Sequence, residues 1–177
     1  MPATGSSSLG TRTERRLARI MRQMVMARRG TKADARAAAD LWLRAREAAL
    51  GAIPQPVHSD DDVRSWFASH VACDAELWVA EGPADTLLGI LVLEGSWVDQ
   101  LYVEPSMTGQ GIGAELLQLA KRERPLGLRL WTFASNTRAQ QFYERHGFVE
   151  ARRTDGRDNE EKASDILYVW SGERSAG

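Results

Sequence analysis

The sequence predicts an α/β fold, and three observations carry that expectation. Residues 97–103, Trp-Val-Asp-Gln-Leu-Tyr-Val, read as an apolar strand. They run through Glu-Pro-Ser-Met into a glycine-rich turn, Thr-Gly-Gln-Gly-Ile-Gly at 108–113, which opens a helix over 114–122. Residues 128–133, Leu-Arg-Leu-Trp-Thr-Phe, form a second strand, followed across Ala134-Ser135-Asn136 by a helix over 137–146. From residue 24 to 170 strand and helix patterns succeed one another without an internal repeat.

The elements follow in order. Residues 24–29 read as a first strand. Thr31-Lys-Ala-Asp34 starts a helix rich in Ala and Leu, with Trp42, that ends near Leu50-Gly51. Two prolines break residues 51–58 into a loop. Ser59-Asp60-Asp61-Asp62 then caps a second helix to about Val71, its acids in the first turn, where the helix dipole favours them. Residues 76–81 are a strand and 82–85, Gly-Pro-Ala-Asp, a turn. Residues 87–93 and 97–103 are the next two strands, joined across Gly95. Ser135 or Asn136 suits the N-cap of the helix over 137–146, and Gly147 suits a left-handed C′ position. Residues 148–153 form a strand, 154–163 a polar loop and 165–170 the last strand.

Composition places the chain among single-domain cytoplasmic proteins. Its 177 residues suit one domain that buries about 70% of its unfolded surface. The net charge of −1 supplies no global basic field for nucleic acid. No run reaches the roughly 18 apolar residues of a membrane span, and the N-terminus lacks the apolar stretch of a signal peptide. Cys73 is the lone cysteine, so no internal disulfide forms. His58, His70 and His146 show no metal-ligand spacing. Residues 1–23 differ from the rest: a Ser- and Gly-rich start, then Arg12, Arg15, Arg16, Arg19 and Arg22. They read as a disordered tail, or as sequence upstream of a true start at Met21, Met24 or Met26. A short basic helix that touches a partner is the other reading. Residues 171–177 form a C-terminal tail.

The glycine-rich turn carries the chemistry. A helix N-terminus holds unpaired amides and the positive end of the dipole, and glycines let a bulky anion reach them. A phosphate-bearing ligand fits there. The spacing excludes two common motifs. A P-loop needs Gly-x4-Gly-Lys-Ser/Thr, and the chain has no Lys-Ser or Lys-Thr pair. A dinucleotide fingerprint needs Gly-x-Gly-x-x-Gly after the first strand; here Gly109, Gly111 and Gly113 come late, as Gly-x-Gly-x-Gly. Taken alone, the glycines suit a ligand-free strand-to-helix turn equally well.

The second strand–helix unit supplies the context. Thr108 to Gly113, followed by Asn136, Ala139, Phe142-Tyr143 and Gly147-Phe148, resembles the GNAT acyltransferase superfamily. Its pattern is Arg/Gln-x-x-Gly-x-Gly/Ala, then Asn-x-x-Ala-x-x-Phe-Tyr-x-x-x-Gly-Phe about one strand later. Thr108 departs from it, standing where the family has Arg or Gln; that position holds pyrophosphate mainly through its backbone. The resemblance covers residues 24–170 and implies a mixed, mostly antiparallel sheet with helices on both faces and a splayed central strand pair. It implies acetyl-CoA as cosubstrate. The pantetheine arm would pair with free backbone groups of the first splayed strand, around Leu101 and Val103, and Pro105 suits a strand that stops pairing. The pyrophosphate would meet the amides of Thr108, Gly109, Gln110, Gly111, Ile112 and Gly113. Asn136 matches the residue that bonds the pantetheine arm, a role compatible with a plain N-cap. Lys121 and Arg122, at the far end of the helix, are dipole partners and not phosphate ligands.

Acetyl transfer to an amine requires loss of a proton from the acceptor, polarisation of the carbonyl and stabilisation of the leaving thiolate. The resemblance gives the last task to Tyr143; the other reading of Tyr143 is a core aromatic beside Phe142. The oxyanion donor would be a backbone N–H near Val103. Asp99 is the first choice of base. It sits mid-strand, where an acid is disfavoured, and shares strand parity with Leu101 and Val103. The Asp99-Gln100-Leu101 run also resembles that strand in antibiotic-acetylating members. A solvent-facing carboxylate is the alternative, Glu94 and His58 are reserves, and a water chain without a dedicated base is a further route. Asp60, Asp61, Asp62, Asp155, Asp158, Glu160 and Glu161 would attract a cationic amine, or serve as solvated caps. Trp78 and Trp97 suit an apolar wall or the core. Two functions follow: an N-acetyltransferase for a small-molecule or peptide amine, acting by direct attack in a ternary complex, or a degenerate domain that binds acyl-CoA as a sensor or interaction module. Many members of the family are homodimers, but no residue pattern here sets the oligomeric state.

Overall fold

The computed structural model describes residues 26–73 and 75–172. The reading of residues 1–23 as a tail, the first two residues of the strand read over 24–29, and residues 173–177 of the tail read over 171–177 therefore lie outside the described residues. Seven strands form one sheet in the order β1-β2-β3-β4-β5-β7-β6. They are β1 (Met26–Arg29), β2 (Glu76–Glu81), β3 (Leu87–Glu94), β4 (Trp97–Val103), β5 (Leu128–Phe133), β6 (Val149–Arg153) and β7 (Asp165–Trp170). The helices are α1 (Ala35–Ala48), α2 (Asp60–Cys73), α3 (Ile112–Glu123) and α4 (Thr137–Arg145). All strand pairs are antiparallel except β4–β5. The expected sequence of elements stands. Most ends agree to within one or two residues; at two helix starts, a 3-10 turn over Lys32–Asp34 precedes α1, and α3 begins at Ile112, so the last residues of the glycine turn are already helical.

β3 is central because its apolar run can be buried on both faces. Ile90 and Val92 point into a core shared with Ala38, Leu41, Trp42 and Phe67 of α1 and α2. Leu91 and Leu93 point the other way, towards Leu116, Leu117 and Ala120 of α3 and Tyr143 of α4. Gly89 lets α3 come close: a β-carbon there would lie 2.9 Å from Ile112 Cγ2 and 3.0 Å from Leu116 Cδ1. The start of α3, and with it the glycine turn, is thus pressed onto the sheet.

Local caps match the residues that form them. Ser59 Oγ donates to Asp62 Oδ2 at 2.6 Å and accepts from the Asp62 amide at 3.2 Å, which opens α2. Asn136 Oδ1 accepts from the Ala139 amide at 3.1 Å, which makes it the N-cap of α4. Gly147 closes that helix at φ 77°.

Arg28 ties the sheet edge to the start of α1. It donates to both carboxylate oxygens of Asp34 at 2.9 Å and to Glu81 at 2.8 and 2.9 Å. The Arg28 bonds, helped by Thr31 and opposed by partial burial, hold the Asp34 carboxyl at about 2, below its ordinary 3.8. A depressed folded-state value means that the stabilisation is present above about pH 3.8 and is lost as pH falls towards 2. Asp34→Asn should lower Tm at pH 7 by about 2–4 °C, a modest figure because Arg28 is solvent-screened. The difference should shrink below pH 3.8 and be small by pH 2, which thermal unfolding across pH would show; a constant difference would refute the linkage.

Candidate active site

β4 and β5 lie parallel but meet at one register position, Trp97 opposite Arg129. The Arg129 amide donates to Ser96 O at 3.0 Å. Beyond that point β4 stays with β3 and β5 stays with β7. The side of β4 that faces β5 therefore has no sheet partner past Trp97 among the described residues. A bulge contributes to the divergence: Val98 pairs with Leu93 and Gln100 with Val92, so Asp99 is the extra residue, and bulges bend the strand that holds them. A cleft of about 1200 Å³ opens between the two strands, floored by the glycine turn and α4.

The turn is built for close approach. Pro105–Met107 form a 3-10 turn that delivers Thr108. Gly109 and Gly111 have φ of 83° and 91°, in the left-handed region that a side chain would strain. Gly111 is the N-cap of α3, and the Glu115 amide donates to its carbonyl at 3.0 Å. The amides of 111–114 precede that first helical bond, and so are available to an anion. A β-carbon on Gly113 would sit 3.5 Å from Val103 and 3.6 Å from Phe142, so Gly113 leaves open the gap between β4 and α4. The Ile112 side chain is buried in the core, and only its backbone can serve a ligand. Thr108, Leu101, Val103 and Asn136 line the cleft; Gln110 does not, and its Nε2 is 3.8 Å from Met107 Sδ. Lys121 donates to His146 O and lies over the Trp170 ring, turned to the end of α4.

Tyr143 lines the cleft from α4 and is 9% exposed. Its ring packs against Phe142, Phe148 and Tyr168, with centroids 5.3, 5.8 and 6.3 Å away. Burial, with a contribution from Tyr102, pushes the phenol above its ordinary pKa. The group stays protonated at neutral pH, the state that a proton donor needs.

Asp99 reaches the cleft from β4 and remains open to water there. Surrounding protein atoms still desolvate it enough to raise its pKa. Gln100 Nε2, donating at 3.2 Å, opposes that rise; Glu94 adds to it and His70 opposes it. Glu94 lies 3.9 Å from His70, whereas His58 bonds Glu160 at 2.9 Å.

The acids at the mouth divide in two. Asp60 and Asp61 pair with Arg64, and Asp62 is a cap. None of the three lines the cleft, whereas Asp158 and Glu161 of the β6–β7 loop do. Sequence reasoning passed over the wall behind them. Buried Arg46 of α1 bonds Glu161 at 3.3 Å and Pro54 O at 3.1 Å, its guanidinium 4.9 Å from the Trp42 ring and 5.8 Å from Phe133. Tyr102 completes this group, its ring 5.8 Å from Trp42. An arginine on the alanine-rich face of α1 was the one sequence signal available. Among the described residues no cluster of His, Cys, Asp and Glu could hold a metal ion, and no helix is long and apolar enough to cross a membrane.

A splayed parallel pair beside a glycine-capped helix offers an open strand edge that ends at a row of unpaired amides. Residues 73–150 match the profile of the acetyltransferase (GNAT) domain. It is 37% identical over 82 residues to the peptidyl-lysine N-acetyltransferase YjaB of Salmonella typhimurium, a match over 46% of this chain and 56% of that protein. It is 31% identical over 96 residues to the Escherichia coli protein of the same name, over 54% and 61%. The chain thus spans little more than half the length of these relatives. The fold is shared more widely. The solution structure of apo-form YjaB from Escherichia coli superposes with a TM-score of 0.68 at 24% identity, over 84% of this chain and 99% of that one. Nourseothricin acetyltransferase superposes with a TM-score of 0.62 at 22% identity, over 85% and 99%.

Proposed function

We propose that this chain is an N-acetyltransferase that moves the acetyl group of acetyl-CoA to a primary amine by direct attack in a ternary complex. The observation that carries this reading is the unpaired edge of β4 leading straight to the glycine turn. An extended arm can take the place of the missing strand while its pyrophosphate rests on the α3 amides. Leu101 and Val103 would pair with the pantetheine arm, Asn136 would bond it, and Thr108, Gly109, Gly111, Ile112 and Gly113 would hold the phosphates. Asp99 takes a proton from the incoming ammonium. The neutral amine attacks the thioester carbonyl and the carbon–nitrogen bond forms; the carbon–sulfur bond then breaks, Tyr143 protonates the departing sulfur, and the surplus proton on the new amide nitrogen returns the phenolate to phenol.

The acceptor class is a lysine side chain on a peptide. The relatives' names support this, and so does Asp158, which lines the cleft, whereas the Glu161 carboxylate there is paired with Arg46. The protein acts in the cytoplasm, in keeping with its single cysteine. Every residue assigned here comes from one chain, so a homodimer would carry two copies of the site. Acetyl-CoA turnover across lysine peptides and small amines tests the reading. CoA release that no amine accelerates over water would overturn it.

Residues 24–170 make up the catalytic domain in this proposal. Deleting residues 1–20 should leave Tm and acetyl-CoA affinity at wild-type values. A clear loss of either would show that the segment docks on the domain.

A further inference from the structure

Asp99 does not stand alone in the cleft. Gln100 Nε2 donates to Asp99 Oδ2 at 3.2 Å, and Trp42 Nε1 donates to Gln100 Oε1 at 2.7 Å. Neighbours on a regular strand point to opposite faces. The bulge at Asp99 breaks that alternation, so the two side chains can meet. Trp42 is nearly buried, held in the core under α1 and against Tyr102, and cannot move away.

The chemistry of the chain runs one way. An indole N–H only donates, so it selects the oxygen end of the Gln100 amide. The nitrogen end must then face Asp99. Without that donor the amide could turn over and set its oxygen against the carboxylate. We infer that Trp42 and Gln100 are positioning residues that hold Asp99 in its proton-accepting orientation, with Trp42 acting only through Gln100. This inference rests on the reading of Asp99 as the base. The other groups near Asp99 are Glu94 from β3, His70 from α2 and Tyr102 on its own strand.

The test uses the full chain in four variants, Trp42→Phe, Gln100→Leu, their double and Asp99→Asn, with acetyl-CoA and an accepted amine across pH. Trp42→Phe and Gln100→Leu should each lower kcat/KM for the amine by about tenfold. Each should move the acid limb of the profile to higher pH, because the carboxylate loses a bond that favours its charged form. The double should be no worse than Gln100→Leu alone. Stabilisation by CoA should match wild type in every variant. Asp99→Asn at the wild-type rate would overturn the base assignment and this inference together. An inactive Asp99→Asn beside an unmoved acid limb in Trp42→Phe would overturn the inference alone. So would an undiminished Trp42→Phe effect in the Gln100→Leu background, since the indole would then act by packing.

Discussion

Replacing Gly111 and Gly113 by valine should abolish the thermal stabilisation that CoA confers. At a hundredfold excess over Kd a ligand stabilises its protein by about 2.7 kcal/mol. For a chain of this size that is a rise in Tm of roughly 5–10 °C. The two substitutions remove it by separate routes. Gly111 has φ 91°, so valine there strains the N-cap and tilts the amides of 111–114. Gly113 has no such requirement. Its β-carbon would fit, but valine's further methyl groups would fill the space beside Val103 and Phe142 that the arm must cross. The strain lowers Tm by itself, so the measured quantity is the shift on adding CoA to each variant. Gly113→Val alone separates occlusion from strain. A wild-type shift in the double variant would mean that the phosphates bind elsewhere.

Removing the hydroxyl of Tyr143 should slow turnover by about tenfold to a hundredfold. The lower part of the usual range for acid catalysis applies because the CoA thiolate is a fair leaving group unaided. Tyr143→Phe keeps the ring contacts with Phe142, Phe148 and Tyr168. No group among the described residues bonds the hydroxyl, so the change orphans no partner and Tm should hold. Affinity for acetyl-CoA should change little, since the lost proton matters once charge develops on sulfur. The raised pKa of the phenol adds a pH signature. The group is protonated on both sides of neutrality, so the loss should be constant there and not follow a titration. Steady-state kinetics under chemistry-limited conditions decide it. Unchanged turnover would leave protonation to water and make Tyr143 a packing residue.

Much of this was legible along the chain because it is local. The order of elements, the Ser59 and Asn136 caps, Gly147 at a helix end and the Gly109–Gly111 turn are set by residues within a few positions of one another. Backbone sterics and nearby polar side chains decide such features before any packing occurs. The family pattern likewise sits on two consecutive strand–helix units.

What the sequence could not settle depends on residues far apart in it. That β4 and β5 separate past Trp97 follows from which strands each keeps on its outer side, β3 and β7, and from a bulge whose position only the register reveals. Strand patterning carries no such pairing information. Asp60, Asp61 and Asp62 match the acids of the β6–β7 loop in type, yet three-dimensional placement turns the first group to helix capping and Arg64, and Asp158 and Glu161 to the cleft. Trp42 and Gln100 are 58 positions apart, and nothing in either segment announces their bond. Sequence by itself determined the local turns and the kind of ligand they can hold. The tertiary structure decided which charges face that ligand and what holds them in place, because a side chain's partners across a sheet are fixed by packing and not by its neighbours in the chain.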